Sequence, residues 1–379
     1  MRITAIETIL LDRGITVHQG PIQWMWVRVH TDSGLIGLGE TYPAPHAARE
    51  VIHRVLAPLL IGADPSHIDR IWADTFQRIA YYGWAGAELR AISAVDIALW
   101  DLAGKAAGKP VHRLLGGPSR ERIPVYNTCY DRYDFLTQPV ELARSLIEQG
   151  VRAMKIWPFD PIALETRGQS ITPEQMSRGL LPLKLIREEF GDAMEVAMEF
   201  HGYWSLPAAI RIAREMERYE PMWLEEMLPQ DNLRSYAELA GATRLPLCLS
   251  ERLMTRWGFR ELMENGAARI VMPDICWCGG ISEAKKIATM AETWYLPVAP
   301  HNCGGPVLHA ASVHLAANVP NLYILETVRR HYQDEYNGLV TGLPMVEQGT
   351  IPVPDAPGLG IELTPAVLSD TAAEVRVSQ

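Results

Sequence analysis

The sequence predicts an α/β protein, a closed TIM-like (β/α)7β barrel behind a smaller α+β N-terminal domain that the C-terminal tail completes. Three observations predict it. From residue 121 onward, short apolar runs alternate with helix-length stretches, the rhythm of a parallel sheet. Eight such runs with seven intervening helices favour a closed barrel over an open doubly wound sheet, and no glycine-rich phosphate fingerprint follows the first run. Finally, three runs end in a glutamate at equal spacing, Glu199, Glu225 and Glu251. Parallel neighbours in one sheet would bring all three to the same edge.

The elements follow in order. In the first domain, residues 2–11 and 24–31 read as strands, Thr31-Asp-Ser-Gly34 as a turn, and Leu35 to Glu40 as the returning strand of a hairpin. Helical patterns follow at about 45–60, 66–79 and 86–107. The last contains Ala91 to Lys105, apolar nearly all round, and is expected to be buried. Gly116-Gly-Pro118 breaks the chain. The expected domains are therefore 1–118, 119–345 and a Pro- and Gly-rich segment, 346–379, that returns to the first domain. Barrel strands are expected at 123–127, 151–156, 194–199, 221–225, 246–251, 268–273, 296–300 and 322–326. The helices are expected near 138–149, 173–190, 206–219, 231–241, 258–265, 281–294 and 305–317.

A chain of 379 residues suits a large barrel plus a partner domain. The net charge of −10, with no basic run, argues against a nucleic-acid surface. It leaves an anionic small-molecule substrate open, because a local cation can dominate a cleft. Five cysteines, an odd number, form no disulfide framework and point to a reducing cytoplasm. The N-terminus alternates like a strand and carries Glu7, without a signal-peptide core. No apolar run reaches membrane-spanning length.

In such barrels the chemistry sits at the C-terminal ends of the strands. Reading off those ends gives Lys155, Glu199, Glu225, Glu251, Asp274, His301 and Glu326. Any one alone would read as a solvated loop residue or a helix cap, but seven in phase define a site. Three crowded carboxylates raise each other's pKa, and Lys155 with Arg252 supplies too little positive charge to offset them. A hard divalent cation, Mg2+ or Mn2+, is therefore expected on Glu199, Glu225 and Glu251, with waters and substrate oxygens completing an octahedral shell. Asp274 on the strand next to His301 would fix the imidazole tautomer and prepare a general base. His201, two residues past Glu199, reads equally as a cleft acid or a surface loop histidine. Glu326 could bind a substrate carboxylate if its pKa is raised enough to hold a proton; otherwise it is a solvated strand-end acid. Lys155 could neutralise charge building on an enolate oxygen. Cys276, Cys278 and Cys303 read as packed thiols rather than a zinc site, since Cys-x-Cys is not a zinc knuckle and no fourth ligand is apparent. Trp24, Trp26, Tyr81, Tyr82 and Trp84 either wall a pocket or form aromatic core.

These residues resemble the enolase superfamily in its mandelate racemase branch, over nearly the whole chain. Ala94-Val-Asp-Ile-Ala-Leu-Trp-Asp-Leu-Ala-Gly-Lys105, then Pro110 and Leu114-Leu-Gly-Gly117, look like the helix and exit loop of that family's capping domain. Pro357-Gly-Leu-Gly360 is similar to its closing segment. The resemblance implies an α+β cap over a (β/α)7β barrel. It also implies magnesium held at strands three to five by Glu199, Glu225 and Glu251, an Asp274–His301 dyad, and Glu326 as the eighth-strand glutamate. Within the branch, Glu199-Phe-His201-Gly202 is similar to the Asp-Phe-His-Gly of galactonate dehydratase and related acid-sugar dehydratases, which implies that His201 is the acid expelling a hydroxyl.

Three departures stand out. Glu199 replaces the usual aspartate, Lys155-Ile-Trp157 lacks the second lysine of Lys-x-Lys, and Glu225-Glu-Met227 replaces Glu-Glu-Pro. The missing lysine argues against two-base racemisation and for one-sided proton abstraction by His301. The activity implied is hydro-lyase chemistry: an aldonate or aldarate loses water to give a 2-keto-3-deoxy acid. An epimerase or cycloisomerase acting through the same enediolate, or a barrel that binds metal or sugar acid without turnover, are the competing readings. The expected substrate contacts are Lys155, Trp157, His18 and Tyr42. The last two come from roof loops at about 13–25 and 41–48, which also carry Gln19 and His46. The resemblance further implies a homo-oligomer, while charge and the apolar run lengths argue against nucleic-acid and membrane partners.

Overall fold

The computed structural model of the protein describes residues 1–11, 16–17, 20–21, 23–81 and 83–379. Glu374–Ser378, Ile3–Leu11, Trp24–Thr31 and Ile36–Thr41 lie side by side in that order in an antiparallel sheet. The end of the chain thus supplies an edge strand beside its beginning, with Ile6 opposite Ser378. The helix Ala87–Ala107 packs on this sheet and is buried along most of its length. Two small residues permit the close approach. A Cβ on Gly39 would lie 1.9 Å from the Ala94 carbonyl oxygen, and one on Gly37 would lie 2.1 Å from that of Ala98.

The polar residues of this apolar helix join the parts of the molecule. Asp101 accepts from the Leu38 and Leu359 amides, each at 2.8 Å, tying the helix to the sheet and to the tail. Asp96 accepts from the Ser282 amide at 3.0 Å and its hydroxyl at 2.6 Å, tying the same helix to the barrel helix Gly280–Thr293. Buried carboxylates survive in such a place only when hydrogen-bonded.

The parallel strands Arg122–Thr128, Ala153–Ile156, Glu195–Glu199, Leu224–Glu225, Leu247–Leu249 and Ile270–Val271 are neighbours in sequence order, and Leu325–Thr327 pairs beside the first. The seventh position is an isolated bridge. Val298 pairs with Val271 on one side and Leu322 on the other, which closes the ring. Several strands are shorter than the apolar runs that announce them, because burial extends past the pairing. The run 221–225 pairs only at Leu224–Glu225, and Glu226 then adopts φ 45°, which ends the extended wall and turns the chain outward. A helix at Asp160–Thr166 falls between the expected strand 151–156 and the expected helix 173–190. Inside the barrel, Tyr126, Trp223, Met272, Cys248 and small Ala153, Ala197 and Ala299 pack as one layer. Large and small side chains alternate to fill the ring, and this layer is the floor of the site above it.

Cap and barrel are fastened by Glu40, fully buried. Its carboxylate accepts from the Gly305, Val307 and Leu308 amides at 2.7, 3.1 and 3.3 Å, at the start of the helix Pro306–Asn318, and from Trp26 Nε1 at 3.1 Å. A carboxylate at a helix N-terminus meets both unpaired amides and the positive end of the helix dipole. Glu40→Leu would orphan those amides. Each buried donor left unsatisfied costs about 1–3 kcal/mol, so the urea midpoint of Glu40→Leu is expected to fall well below that of Glu40→Gln, which keeps an acceptor oxygen. No helix among the described residues is long and apolar enough to cross a membrane.

Candidate active site

A cavity of about 660 Å3 opens where the cap meets the C-terminal ends of the barrel strands. The barrel contributes Lys155, Trp157, Glu199, His201, Glu251, Arg252, Trp277, His301 and Cys303 to its lining, and the cap contributes Tyr42 and Arg90. Glu225 lies directly beneath, fully buried.

Lys155 ends the second barrel strand and is 3% exposed. Its ammonium makes a very short contact with Glu225, lies 2.8 Å from Glu326 Oε1, and 3.4 Å from Glu199 Oε2. Burial opposes the charge on Lys155, but Glu225 and Glu326 outweigh it, and its pKa stands well above the usual value. Glu199 and Glu225 face each other in register on adjacent strands. Burial raises the Glu225 pKa, and the neighbouring Glu199 raises it further. Burial works against Glu199 as well, yet its pKa is lowered by His201, by its bond to Glu225 and by Lys155. Two crowded carboxylates titrate as a coupled pair, and here the two shifts run in opposite directions. Glu251, two residues beyond the strand Leu247–Leu249, turns toward Arg252, with Oε1 3.3 Å from Nε. Its Oε2 is buried with no hydrogen-bond partner.

His301 and His201 stand at the seventh and third strand ends, across the ring from each other. His301 Nδ1 bonds Asp274 Oδ2 at 2.7 Å, and the strand-end residues themselves pair as an Asp274–His301 bridge. Tyr42 of the cap donates to the same Oδ2 at 2.5 Å and lies 3.3 Å from His301 Nδ1. The phenol expected at the substrate is thus engaged by the dyad, although its ring still lines the cavity. His201 adopts φ 50°, a left-handed turn that brings its ring over the mouth, where Nδ1 bonds Asp160 Oδ2 at 2.6 Å. Burial disfavours the imidazolium of His201, but Glu199 and Asp160 outweigh it and its pKa is raised.

Glu326 differs from the expectation that it might hold a proton. Burial pushes its pKa up, yet Lys155 and His301 outweigh burial and bring it down to about 2. The ionised carboxylate accepts from Lys155, from Thr128 through a very short bond, and from the Asn302 amide at 2.7 Å.

The thiols of Cys276 and Cys278 are packed and fully buried, away from the mouth lining. Cys303 lies apart from them, and one donor atom each from His301, Cys303 and Glu326 falls within 4.8 Å of the others, a grouping able to hold a metal ion. Among the described residues Glu199, Glu225 and Glu251 form no such grouping; Lys155 touches Glu199 and Glu225, whereas Glu251 turns to Arg252. Trp24 and Trp26 are core, whereas Tyr81 is 97% and Trp84 50% exposed, so the aromatic wall is not one unit. His46 is exposed and absent from the lining, and His18, Gln19 and Tyr82 lie outside the described residues. Trp157 does line the cavity, edge-on to His201 with ring centroids 5.9 Å apart.

Asp160 was not anticipated. It opens the unexpected helix with Pro161 behind it, and an Asp-Pro pair after an apolar strand is a helix-start signal. Glu226, buried beside Glu251, was also passed over; burial and then Glu251 push its pKa well up.

An α+β cap over a (β/α)7β barrel, with acids, a lysine and two carboxylate-backed histidines at its mouth, defines an enolase-like capped barrel. Comparison with known proteins agrees. Residues 138–367 match the enolase C-terminal domain-like family, and residues 13–116 match the mandelate racemase/muconate lactonizing enzyme N-terminal domain. The chain belongs to the enolase superfamily, in its mandelate racemase branch. It is 32% identical to D-galactonate dehydratase of Ralstonia pickettii, covering 95% of this chain and 94% of that one. It is 30% identical to D-xylonate dehydratase of Haloferax volcanii, over 95% and 86%. A crystal structure of an enolase of the mandelate racemase subgroup from Agrobacterium tumefaciens superposes with a TM-score of 0.91 at 45% identity, covering 100% of this chain and 99% of that one.

Proposed function

We propose that the protein is a magnesium-dependent sugar-acid dehydratase, converting an aldonate or aldarate to a 2-keto-3-deoxy acid. The observation that carries this reading is the pair of histidines across one cavity, each with Nδ1 on a buried carboxylate. β-Elimination needs two proton-transfer groups at adjacent carbons, and this arrangement offers both. His301, oriented by Asp274 and Tyr42, takes the proton from C2. The electron pair moves into the C2–C3 bond, the C3–O bond breaks, and His201 gives its proton to the departing hydroxyl. The resulting enol rearranges to the 2-keto acid. Three named relatives, acting on galactonate, xylonate and gluconate, support the substrate class.

Glu199, Glu225 and Glu251 fit a hard divalent cation. All donors are carboxylate oxygens, which select Mg2+ or Mn2+ over softer metals. Glu251 Oε2 is buried without a partner, and Glu199 and Glu225 crowd each other in register on adjacent strands. In enolase-superfamily sites a Lys or His base works beside one or two magnesium ions; the ion would stabilise the negative charge that develops on the substrate carboxylate. Lys155 adds its own fixed positive charge there.

The test is a library of acid sugars incubated with enzyme and Mg2+ and assayed for 2-keto acids, with a chelator control. Silence across the library would overturn the proposal. Solvent deuterium entering C2 without loss of water would indicate an epimerase instead. His201→Asn is expected to keep C2 proton–deuterium exchange while losing dehydration by about 10²-fold or more. Loss of exchange in that variant would reverse the assigned roles.

A further inference from the structure

Among the described residues one lysine and two arginines line the cavity, and two of these three are paired. Lys155 is held by Glu225, Glu326 and Glu199. Arg252 pairs with Glu251 and donates to the His201 carbonyl at 2.8 Å. Arg90 differs. It comes from the cap, in the first turn of the helix Ala87–Ala107, and its Nε is buried with no hydrogen-bond partner. Among the described residues its guanidinium forms no ion pair. It is held by stacking, with Cζ 4.5 Å from the Trp277 ring centroid. Arg90 is half-buried, and the planar fork of a guanidinium matches a carboxylate. Trp277 is also the ring beside the base, 5.4 Å from His301 and 5.2 Å from Tyr42. Arg90 therefore stands one indole away from the imidazole.

We infer that Arg90 receives the second carboxylate of the substrate, so that the preferred substrate is an aldarate, a dicarboxylic sugar acid, rather than an aldonate. This rests on the dehydratase reading and deepens it. The carboxylate beside the reacting carbon sits over the barrel glutamates and Lys155, and the far carboxylate reaches the cap. The cavity holds either class, so charge and not volume discriminates. An aldonate ends in a hydroxymethyl group, which leaves the guanidinium without its anion. Burial already weakens the charged form of Arg90, and only partial compensation comes from Tyr42, Asp274 and Cys276.

The experiment compares substrate pairs that differ only at C6, galactarate with galactonate and glucarate with gluconate, using the Mg2+-loaded full chain, Arg90→Gln and Arg90→Lys. The wild type is expected to show the higher kcat/KM on one of the diacids. Arg90→Gln should lower the diacid-to-monoacid ratio of kcat/KM by about 10- to 100-fold, the worth of a charged hydrogen-bonded pair, mainly through KM. Arg90→Lys should recover part of it. A wild-type preference for the monoacids, or a ratio unchanged in Arg90→Gln because both activities fall together, would overturn the inference. The second result would mean that Arg90 acts on Asp274 instead. If no acid sugar is turned over, the dehydratase reading fails. Calorimetric binding of galactarate and galactonate to wild type and Arg90→Gln then decides the Arg90 assignment separately. Tighter binding of the diacid that disappears in the variant supports it, and equal binding refutes it.

Discussion

His301→Asn is expected to lower turnover by about 10²- to 10⁴-fold, the range for losing a positioned general base, and to abolish exchange of the C2 proton with solvent deuterium. Asparagine can still bond Asp274, so the fold around the dyad should stand while proton acceptance is lost. The pH profile gives a second readout. Burial disfavours the charged imidazole, but Glu326, then Cys303 and Asp274, outweigh it and raise the His301 pKa well above its ordinary value. A base works only when deprotonated, so kcat/KM should rise with pH through that raised pKa. Its acid limb should lie above about 6.5, the unperturbed histidine value. Glu326 is the largest of the raising influences, so Glu326→Gln should move the limb toward lower pH as well as cutting the rate. A limb that stays in place would show that His301 is not the titrating group.

The site's outline was legible in the sequence because a barrel makes its chemistry periodic. Each buried strand writes an apolar run, and the residue that ends the run is the one presented at the mouth. Lys155, Glu199, Glu225, Glu251, Asp274, His301 and Glu326 could all be read that way. What the period could not carry is contact between side chains far apart in the chain. Asp160 reaches His201 across 41 residues, and Tyr42 reaches Asp274 across 232. Neither pairing leaves a local trace, and Asp160 sits on a helix too short to show periodicity. The charge state of Glu326 was equally hidden, because it depends on how closely Lys155 and His301 approach. Strand ends were overdrawn for a related reason. The apolar run 246–251 marks chain that is buried, whereas pairing stops at Leu249. Arg90 stayed invisible because its helix turn has no pattern that separates a cavity-facing guanidinium from a solvated one.

The second large effect concerns Lys155. Its ammonium touches Glu225, Glu326 and Glu199 together. Lys155→Met keeps the bulk of the side chain and removes the charge, leaving three buried carboxylates against the apolar floor. Breaking a buried ion pair from one side costs about 3–5 kcal/mol, so a large fall in melting temperature is expected at neutral pH. Excess Mg2+ should restore part of it, because a cation that binds only the folded acids stabilises the fold by mass action. The pH dependence has a definite sign. Glu326 is depressed from 4.5 to about 2, and after burial, which opposes the shift, Lys155 is the largest cause. A depressed carboxylate contributes stability that is fully present above its unfolded pKa and is lost as pH falls toward the folded one. The gap between wild type and Lys155→Met should therefore be widest above about pH 4.5 and narrow between there and pH 2. Turnover should fall by about 10²- to 10³-fold, as for other pre-aimed electrostatic donors. Arginine should not rescue it, since a planar fork cannot replace a compact ammonium among three acids. A variant that melts like the wild type at neutral pH, or one indifferent to Mg2+, would mean that the glutamates do not depend on this charge and are not gathered to hold a cation.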